Sequence, residues 1–409
     1  MSYLRRQVVT AALTANALHP VPGYWAGIPA MFGGWLTAEL APHLLAVTAA
    51  DTLREATRGG GRNRHGLALA AASAVGLTAL AVESEGAKRH VDRALCAALG
   101  DDYLDRLSTA HTDLDLSTPL RQLAWPFRMR NPAVEVAKDI AYAEDHGRRG
   151  LLDVYRPRDG DPKNAPVLLQ VHGGGWTIGN KDQQGIPLML HMAARGWVCV
   201  AINYRLSPRD AFPAHLVDVK RAIAWIRENV HAYGGDPGFI AITGGSAGGH
   251  LAALAALTPN DPAYQPGFEE ADTSLQAAVP HYGVYDFAGA TGTRKAQQMR
   301  DGFLGPRVLF RDPSRHREEF EQASPLLRVN ADAPPFFVLH GRHDTLVEVE
   351  QARQFVAALR RTSRSTVAYA ELPGAQHAFD VFPSIRSAHV VRGVDRFLRS
   401  THDEWLAAR

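Results

Sequence analysis

Apolar runs and amphipathic stretches alternate along the C-terminal two-thirds of the chain. Short, β-branched apolar runs predict strands near residues 151–156, 166–172, 198–204, 239–245, 276–282, 335–340 and 366–372. Helical spacing separates them, as between His215 and Val230, where Leu216, Ile223 and Ile226 share one face. This alternation predicts an α/β fold with a mostly parallel central sheet, helices on both faces, and reacting groups at the carboxyl ends of the strands.

The pattern divides the chain into a helical N-terminal region, residues 1–145, and a catalytic α/β domain, residues 146–405. A stretch near 284–330 shows no clear strand and contains several arginine and phenylalanine residues. We interpret it as a cap insertion within the catalytic domain. Together with the N-terminal region, it is expected to cover the site and select among substrates.

The N-terminal region is unusually apolar. Residues 66–82 carry no charge, and this run is near the lower length limit of about 17 residues for a membrane-spanning helix. A second apolar run covers residues 24–50. The residues between the two runs include Arg54, Arg58, Arg62 and Arg64. One hypothesis is therefore membrane association through residues 24–82, with the basic loop in the cytoplasm and the catalytic domain outside.

The alternative for this region is a soluble cap, because alanine-rich helices buried in a protein core show the same pattern. A cleaved leader is a third hypothesis, since Arg5 and Arg6 precede an apolar run and Ala15-Asn16-Ala17 resembles a cleavage site. The sequence thus leaves a membrane or cell-envelope location and a cytoplasmic one both open. It also leaves the oligomeric state open.

Composition excludes several classes of function. The formal net charge is only +2, and no arginine cluster interleaves with aromatic residues, so nucleic acid is not an expected partner. Cys96 and Cys199 are the two cysteines, and no cysteine and histidine cluster has metal-site spacing. No phosphate-binding motif occurs either. We therefore expect neither a metal nor a cofactor.

A glycine-flanked serine gives the clearest chemical signal. Ser246 lies in the sequence Gly244-Gly245-Ser246-Ala247-Gly248-Gly249-His250, between a predicted strand and a predicted helix. Glycine two residues before and after the serine allows the sharp turn that exposes a nucleophile, and the helix behind it directs free N–H groups toward developing negative charge. Ser246 is the candidate nucleophile.

A glycine loop upstream supports this interpretation. The predicted strand at 166–171 leads directly into His172-Gly173-Gly174-Gly175-Trp176. Three glycines leave backbone amides able to approach a substrate oxygen, as the tetrahedral oxyanion of acyl transfer requires. His172 is expected to fix the loop through hydrogen bonds, and His250 to pack or cap.

A serine nucleophile also needs a base and an orienting carboxylate, each on a loop after a later strand. Asp344 follows the predicted strand at 335–340, and His377 follows the one at 366–372. Asp380 is the rival acid, but it follows no strand of its own. His340 and His343 beside Asp344 are expected to be structural.

These ordered motifs resemble the α/β-hydrolase superfamily and, within it, the hormone-sensitive-lipase-like esterases. The resemblance covers about residues 150–400 and is greatest to actinobacterial carboxylesterases and lipases with an N-terminal extension. It implies Ser246 as nucleophile, His377 as general base and acid, Asp344 as orienter, and the N–H groups of Gly173, Gly174 and Ala247 as oxyanion donors. One departure is Gly245, where the bacterial branch usually has an acidic residue.

The expected activity is hydrolysis of carboxylic esters with short to medium acyl chains through an acyl-enzyme. Two alternatives use the same triad: hydrolysis of amides such as formamides, and acyl transfer to another acceptor. A ligand-binding module without catalysis is a distant alternative, because all three triad positions are filled. The substrate is expected to be a small-molecule or lipid ester.

Overall fold

An eight-stranded sheet forms the centre of the protein. The computed structural model describes residues 1–23, 26–57, 63–107, 120–159 and 162–409. The strands are β1 (Val134–Ala141), β2 (Leu151–Pro157), β3 (Ala165–Val171), β4 (Val198–Ile202), β5 (Gly235–Gly245), β6 (Ala277–His281), β7 (Phe336–Gly341) and β8 (Val367–Leu372). Each strand predicted from the apolar pattern is present, and β1 precedes them in the chain.

The strand order is β1-β2-β4-β3-β5-β6-β7-β8. β2 pairs antiparallel with both β1 and β4, whereas all other neighbours pair in parallel. The predicted mostly parallel sheet is therefore confirmed. Because parallel strands end at the same edge, the segments after β3, β5, β7 and β8 meet there, which positions the candidate site.

Helices cover both faces of the sheet. In the N-terminal region they are α1 (Tyr3–Leu18), α2 (Gly27–Glu39), α3 (Ala41–Thr57), α4 (Arg64–Leu99), α5 (Tyr103–Arg106) and α6 (Leu120–Ala124). Those that follow are α7 (Ile186–Ala194), α8 (Ala214–Asn229), α9 (Ala247–Leu257), α10 (Arg294–Met299), α11 (Arg317–Gln322), α12 (Val349–Thr362) and α13 (Ile385–Ala407).

Side-chain alternation in the strands produces two apolar cores. In β3, Val167 and Leu169 lie in the core shared with α8, α9 and α12, whereas Leu168 lies in the core shared with α7 and α13. Each fully buried Leu or Val contributes about 1.5–3 kcal/mol relative to exposure. The sheet is therefore a rigid platform for the loops at its edge.

The long helix α4 belongs to two layers. Its C-terminal half buries Ala87, Val91 and Leu95 in the core that also contains α7 and α13. Its N-terminal half packs against α1, α2 and α3. Among the described residues, α4 is the one helix long and apolar enough to cross a membrane by length and composition.

The two apolar runs of the N-terminal region form three helices rather than two. The run at 24–50 is divided at Leu40, where α2 ends and α3 begins one residue later. Tyr24, Arg58 and Arg62 of the membrane hypothesis lie outside the described residues.

Between residues 284 and 330 the chain forms α10, a π-helical segment (Arg300–Leu309) and α11, without a strand. This segment connects β6 to β7. Its position between these two strands places it beside the edge of the sheet where the candidate site lies.

Candidate active site

Ser246 occupies the turn between β5 and α9 in a strained backbone conformation. Its φ of 58° and ψ of −121° are unusual for a residue with a side chain, and such strain costs on the order of 1–3 kcal/mol. The flanking glycines make the turn possible: a Cβ at Gly244 would lie 2.6 Å from the carbonyl of Gly248. The Ser246 N–H donates to the carbonyl of His281 at 3.0 Å, which ties the turn to the end of β6.

The glycine loop after β3 lies directly against this turn. A Cβ at Gly173 would lie 3.1 Å from Ser246 Cβ and 2.6 Å from the carbonyl oxygen of Gly245. Gly174 and Gly175 have φ of 118° and 60°, which favour glycine. The loop can therefore approach the serine only because it lacks side chains.

The amides of this loop are not equivalent. The Gly173 N–H donates to Gln184 Oε1 at 2.7 Å, so it is already engaged. For Gly173 the structure thus favours a structural role over the predicted oxyanion donor. The N–H groups of Gly174 and Ala247, by contrast, donate to none of the described residues.

Asp344 and His377 meet although they lie on different loops. His377 Nδ1 and Asp344 Oδ2 are 2.6 Å apart, and both side chains are buried. Asp344 Oδ1 accepts hydrogen bonds from the N–H groups of Leu346 and Val347, at 2.9 and 2.8 Å. Burial alone would raise the pKa of Asp344, but the nearby His377 and His340 outweigh it and lower that pKa. Asp344 therefore stays ionised and fixes the orientation of the imidazole.

Asp380 has a different partner. Its carboxylate bonds to His281 Nδ1 at 2.5 Å and accepts a hydrogen bond from the Tyr282 hydroxyl. The Tyr282 ring in turn contacts His377, with ring centroids 4.7 Å apart. Asp380 therefore holds Tyr282, which packs beside His377. Among the described residues, the Asp380 carboxylate bonds to His281 and Tyr282.

The neighbouring histidines make structural contacts. His172 Nδ1 donates to the carbonyl of Gly173 at 2.7 Å, and burial lowers the pKa of His172 to about 4. His250 accepts from Trp176 Nε1 at 3.3 Å and donates to the carbonyl of Ala323 at 2.8 Å. His340 Nε2 lies 3.0 Å from the carbonyl of Val347. These rings shape the loops as expected, and burial lowers the pKa of His172 and His250 far enough that both stay neutral near neutral pH.

The segment after β6 contributes residues near the site. A Cβ at Gly175 would lie 3.3 Å from the Phe303 ring, so this phenylalanine touches the glycine loop. Burial lowers the pKa of Lys295, and the attraction of Asp344 and Glu348 partly offsets that effect. Both residues lie between 284 and 330, the segment interpreted as a cap. Among the described residues no group of three or more histidine, cysteine or acidic side chains is arranged to hold a metal ion.

The BD-FAE family model matches residues 152–359, which is about half of the chain. The chain is also 46% identical to the probable carboxylic ester hydrolase LipM of Mycobacterium tuberculosis, over 96% of this chain and 92% of LipM. The chain belongs to the BD-FAE family. It is a carboxylic ester hydrolase with the α/β-hydrolase fold, similar to the hormone-sensitive-lipase-like esterases, as the motifs predicted.

Other relatives agree with this assignment. The esterase LipQ of the same organism is 53% identical over 66% of this chain and 64% of LipQ. Among solved structures, the butyrate-bound esterase Est2 of Thermogutta terrifontis is similar, with a TM-score of 0.54 and 26% identity. That match covers 69% of this chain and 95% of Est2.

Three residues of this BD-FAE esterase that shape the site were not found from the sequence. Gln376 Oε1 accepts from the N–H groups of Thr345 and His377, at 2.8 and 2.9 Å, and so joins the acid and base loops. Gln184 holds the glycine loop, and Tyr282 packs on His377. Adjacency to His377 was an available signal for Gln376, whereas Gln184 and Tyr282 reach the site only through tertiary packing.

Proposed function

We propose that this esterase is a serine hydrolase that forms an acyl-enzyme, with Ser246 as nucleophile, His377 as base and Asp344 as orienting acid. The observation that carries the proposal is the 2.6 Å contact between His377 Nδ1 and Asp344 Oδ2 at the same sheet edge as the Ser246 turn. An ionised carboxylate bonded to Nδ1 leaves Nε2 able to accept a proton, which a serine hydroxyl needs to lose before it can attack.

In this mechanism Ser246 Oγ attacks the ester carbonyl while His377 Nε2 takes its proton. The oxyanion receives hydrogen bonds from the N–H groups of Gly174 and Ala247, which donate to none of the described residues, and from the next loop amide at Gly175. His377 then protonates the departing alcohol. A water activated by the same imidazole releases the carboxylic acid.

We propose carboxylic esters with short to medium acyl chains as substrates. Phe303 lies against the glycine loop, and Tyr282 packs beside His377, so two rings narrow the space around the reacting groups. The similar Est2 structure is butyrate-bound, which supports a small acyl group.

The test replaces the nucleophile. Ser246→Ala should reduce the turnover of a short-chain chromogenic ester by several orders of magnitude without unfolding the chain. Ser314→Ala, a matched change in an exposed segment, should retain full activity. Retention of most activity in Ser246→Ala, or phosphonate labelling of another serine, would contradict the proposal. A series of esters from two to sixteen acyl carbons then measures chain-length preference.

We also propose that residues 24–82, together with α1, associate with a membrane. From Gln7 to Ala50, Glu39 is the one charged residue besides histidines, and it is buried against Arg386. The outer face of α4 is apolar as well, since Val75 and Val82 are 72% and 66% exposed. A concentration of exposed apolar side chains in one region is typical of membrane or protein interaction sites.

The length of the uncharged stretch fits a lipid partner. Residues 66–82 span about 25 Å as a helix, close to the roughly 30 Å hydrocarbon core of a bilayer. Arg6, Asp51 and Arg54 lie at one end of the bundle formed by α1, α3 and α4, and Glu83 and Glu85 follow at the other end of the stretch. Charges therefore flank the apolar faces rather than interrupt them.

Vesicle flotation tests the membrane proposal. The full chain should float with phosphatidylcholine vesicles, and Val75→Glu/Val82→Glu should remain in the soluble fraction. Leu327→Glu/Leu406→Glu is the matched control, because these exposed leucines lie in the catalytic region. Flotation of the Val75/Val82 variant at the level of the native chain would refute the assignment of these helices.

A further inference from the structure

The N-terminal helices contact the loop that carries Asp344. Thr345 Oγ1 donates to the carbonyl of Gly27 at 2.8 Å, across 318 residues of sequence. Gly27 is the first residue of α2, and a Cβ there would lie 2.8 Å from the carbonyl oxygen of Thr345. The side chain of His343 lies beside the backbone of Ala17 in α1. The acid loop is therefore packed, backbone against backbone, on the first two helices.

Helices α2 and α4 contact the loop that carries His377. Glu39 at the end of α2 accepts a hydrogen bond from Ser384 Oγ at 2.6 Å and forms an ion pair with Arg386. Arg386 is fully buried, and its guanidinium also donates to the carbonyl of Pro373 at 3.5 Å. Glu83 of α4 lies against Gly374, because a Cβ built on Gly374 would overlap the Glu83 carboxylate. Both sides of the base loop are therefore held by N-terminal residues.

We propose that Gly27, Glu39 and Glu83 form a clamp that holds Asp344 and His377 at bonding distance, with Gly27 and Thr345 as positioning residues for this pair. The proposal rests on the proposed function, because it assigns the clamp to the Ser246–His377–Asp344 mechanism. A catalytic pair on two separate loops must be held within about 0.5 Å of its productive geometry, and surface loops do not supply such rigidity alone.

The contacts explain how a displacement at α2 reaches both catalytic side chains. Thr345 follows Asp344 directly, and its N–H donates to Gln376 Oε1, which also accepts the N–H of His377. A shift of Thr345 therefore moves the acid and, through Gln376, the base. The buried Glu39–Arg386 pair favours one arrangement of this junction, because any other would leave a buried charge unpaired.

A matched pair of glycine variants on α2 tests the clamp. Gly27→Ala places a methyl group against the acid loop, whereas Gly33→Ala meets only the α1 side chains of Leu13 and Asn16, at 3.2 and 3.4 Å. We expect Gly27→Ala to lower kcat about 10- to 100-fold with KM unchanged, since a misplacement of about 1 Å costs on this order. Gly33→Ala should keep native kcat.

A second variant keeps the proposal testable if Gly27→Ala does not fold. Thr345→Val removes the hydroxyl that reaches Gly27 but retains the N–H to Gln376, so kcat should fall in the same direction. Thr345→Ser should restore it. Thr52→Val is the control inside the helical bundle, where Thr52 bonds to Tyr3 at 3.0 Å, and it should leave kcat unchanged.

The readouts separate positioning from general stability. Turnover is expressed per folded enzyme, and the downfield proton resonance of the hydrogen-bonded His377 imidazole is recorded for each variant. The resonance should shift or broaden in Gly27→Ala and Thr345→Val only. Native kcat and resonance in both of those variants, or an equal loss in Gly33→Ala and Thr52→Val, would overturn the clamp. Retained activity in Ser246→Ala would instead overturn the proposed function and, with it, this assignment.

Discussion

The change of Asp344 to Asn tests the proposed triad most sharply. Asp344 Oδ1 accepts two backbone N–H groups, from Leu346 and Val347, so the amide oxygen of Asn is expected to occupy that side. The amide nitrogen would then replace Oδ2, 2.6 Å from His377 Nδ1. Because that nitrogen can only donate, Nδ1 must become an acceptor and the imidazole proton moves to Nε2.

An imidazole with its proton on Nε2 cannot accept the proton of Ser246. The expected loss is about 10⁴-fold in kcat, which corresponds to about 5 kcal/mol of transition-state stabilisation. KM should change little, because Asp344 is buried behind the imidazole and does not contact substrate. Steady-state kinetics on a short-chain chromogenic ester, with circular dichroism to verify folding, measure both quantities.

Asp380→Asn is the matched control for this prediction. It makes the same chemical change three residues from His377, but Asp380 bonds to His281 and Tyr282. We expect its kcat to stay within about tenfold of the native value, because the His377 tautomer is not affected. A larger loss in Asp380→Asn than in Asp344→Asn would contradict the assignment of Asp344 as the orienting acid.

Two further predictions concern the glycine loop and acid stability. Gly173→Ala places a Cβ 2.8 Å from Gln184 Oε1, which should displace the loop and lower kcat about 100-fold. Gly86→Ala on α4 is the control and should keep native kcat, because its Cβ would meet only the end of the Arg89 side chain, 3.7 Å away. Native kcat in Gly173→Ala would contradict this. Burial lowers the pKa of His172 to about 4 and the pKa values of His215 and His250 to about 3. Below pH 6.5 the unfolded chain therefore binds more protons than the folded chain. The free energy of unfolding, measured with urea, should fall from pH 6.5 toward pH 4 by up to about 4 kcal/mol per pH unit. A free energy of unfolding that stays constant between pH 7 and 5 would contradict this prediction.

The strands and the serine turn were predictable because their signals are local. An apolar run such as Phe336–Gly341 favours burial whatever its tertiary neighbours are. The turn at Ser246 needs glycine two residues before and two residues after the serine. The order of these segments along the chain was enough to predict the fold class. It also selected Ser246, Asp344 and His377, which the structure brings to one edge of the sheet.

The roles of individual polar groups could not be predicted in the same way. The family resemblance implied Gly173 as an oxyanion donor, but in the structure the Gly173 N–H donates to Gln184, eleven residues further along the chain. The sequence left Asp380 as a rival acid, but in the structure its carboxylate bonds to His281 at the end of β6 rather than to His377. Hydrogen bonds of this kind depend on distances of a few tenths of an ångström between segments, and no local pattern encodes them.

The strands and the sheet class follow from sequence alone, and the same local signals nominated the residues of the candidate site, because periodicity and turn residues act within a few positions. Tertiary structure alone decided where the N-terminal helices lie. They contact the loops of Asp344 and His377 through Gly27 and Glu39, more than 300 residues away along the chain. That arrangement follows from packing complementarity and the pairing of buried polar groups, which exist only once the whole chain is folded.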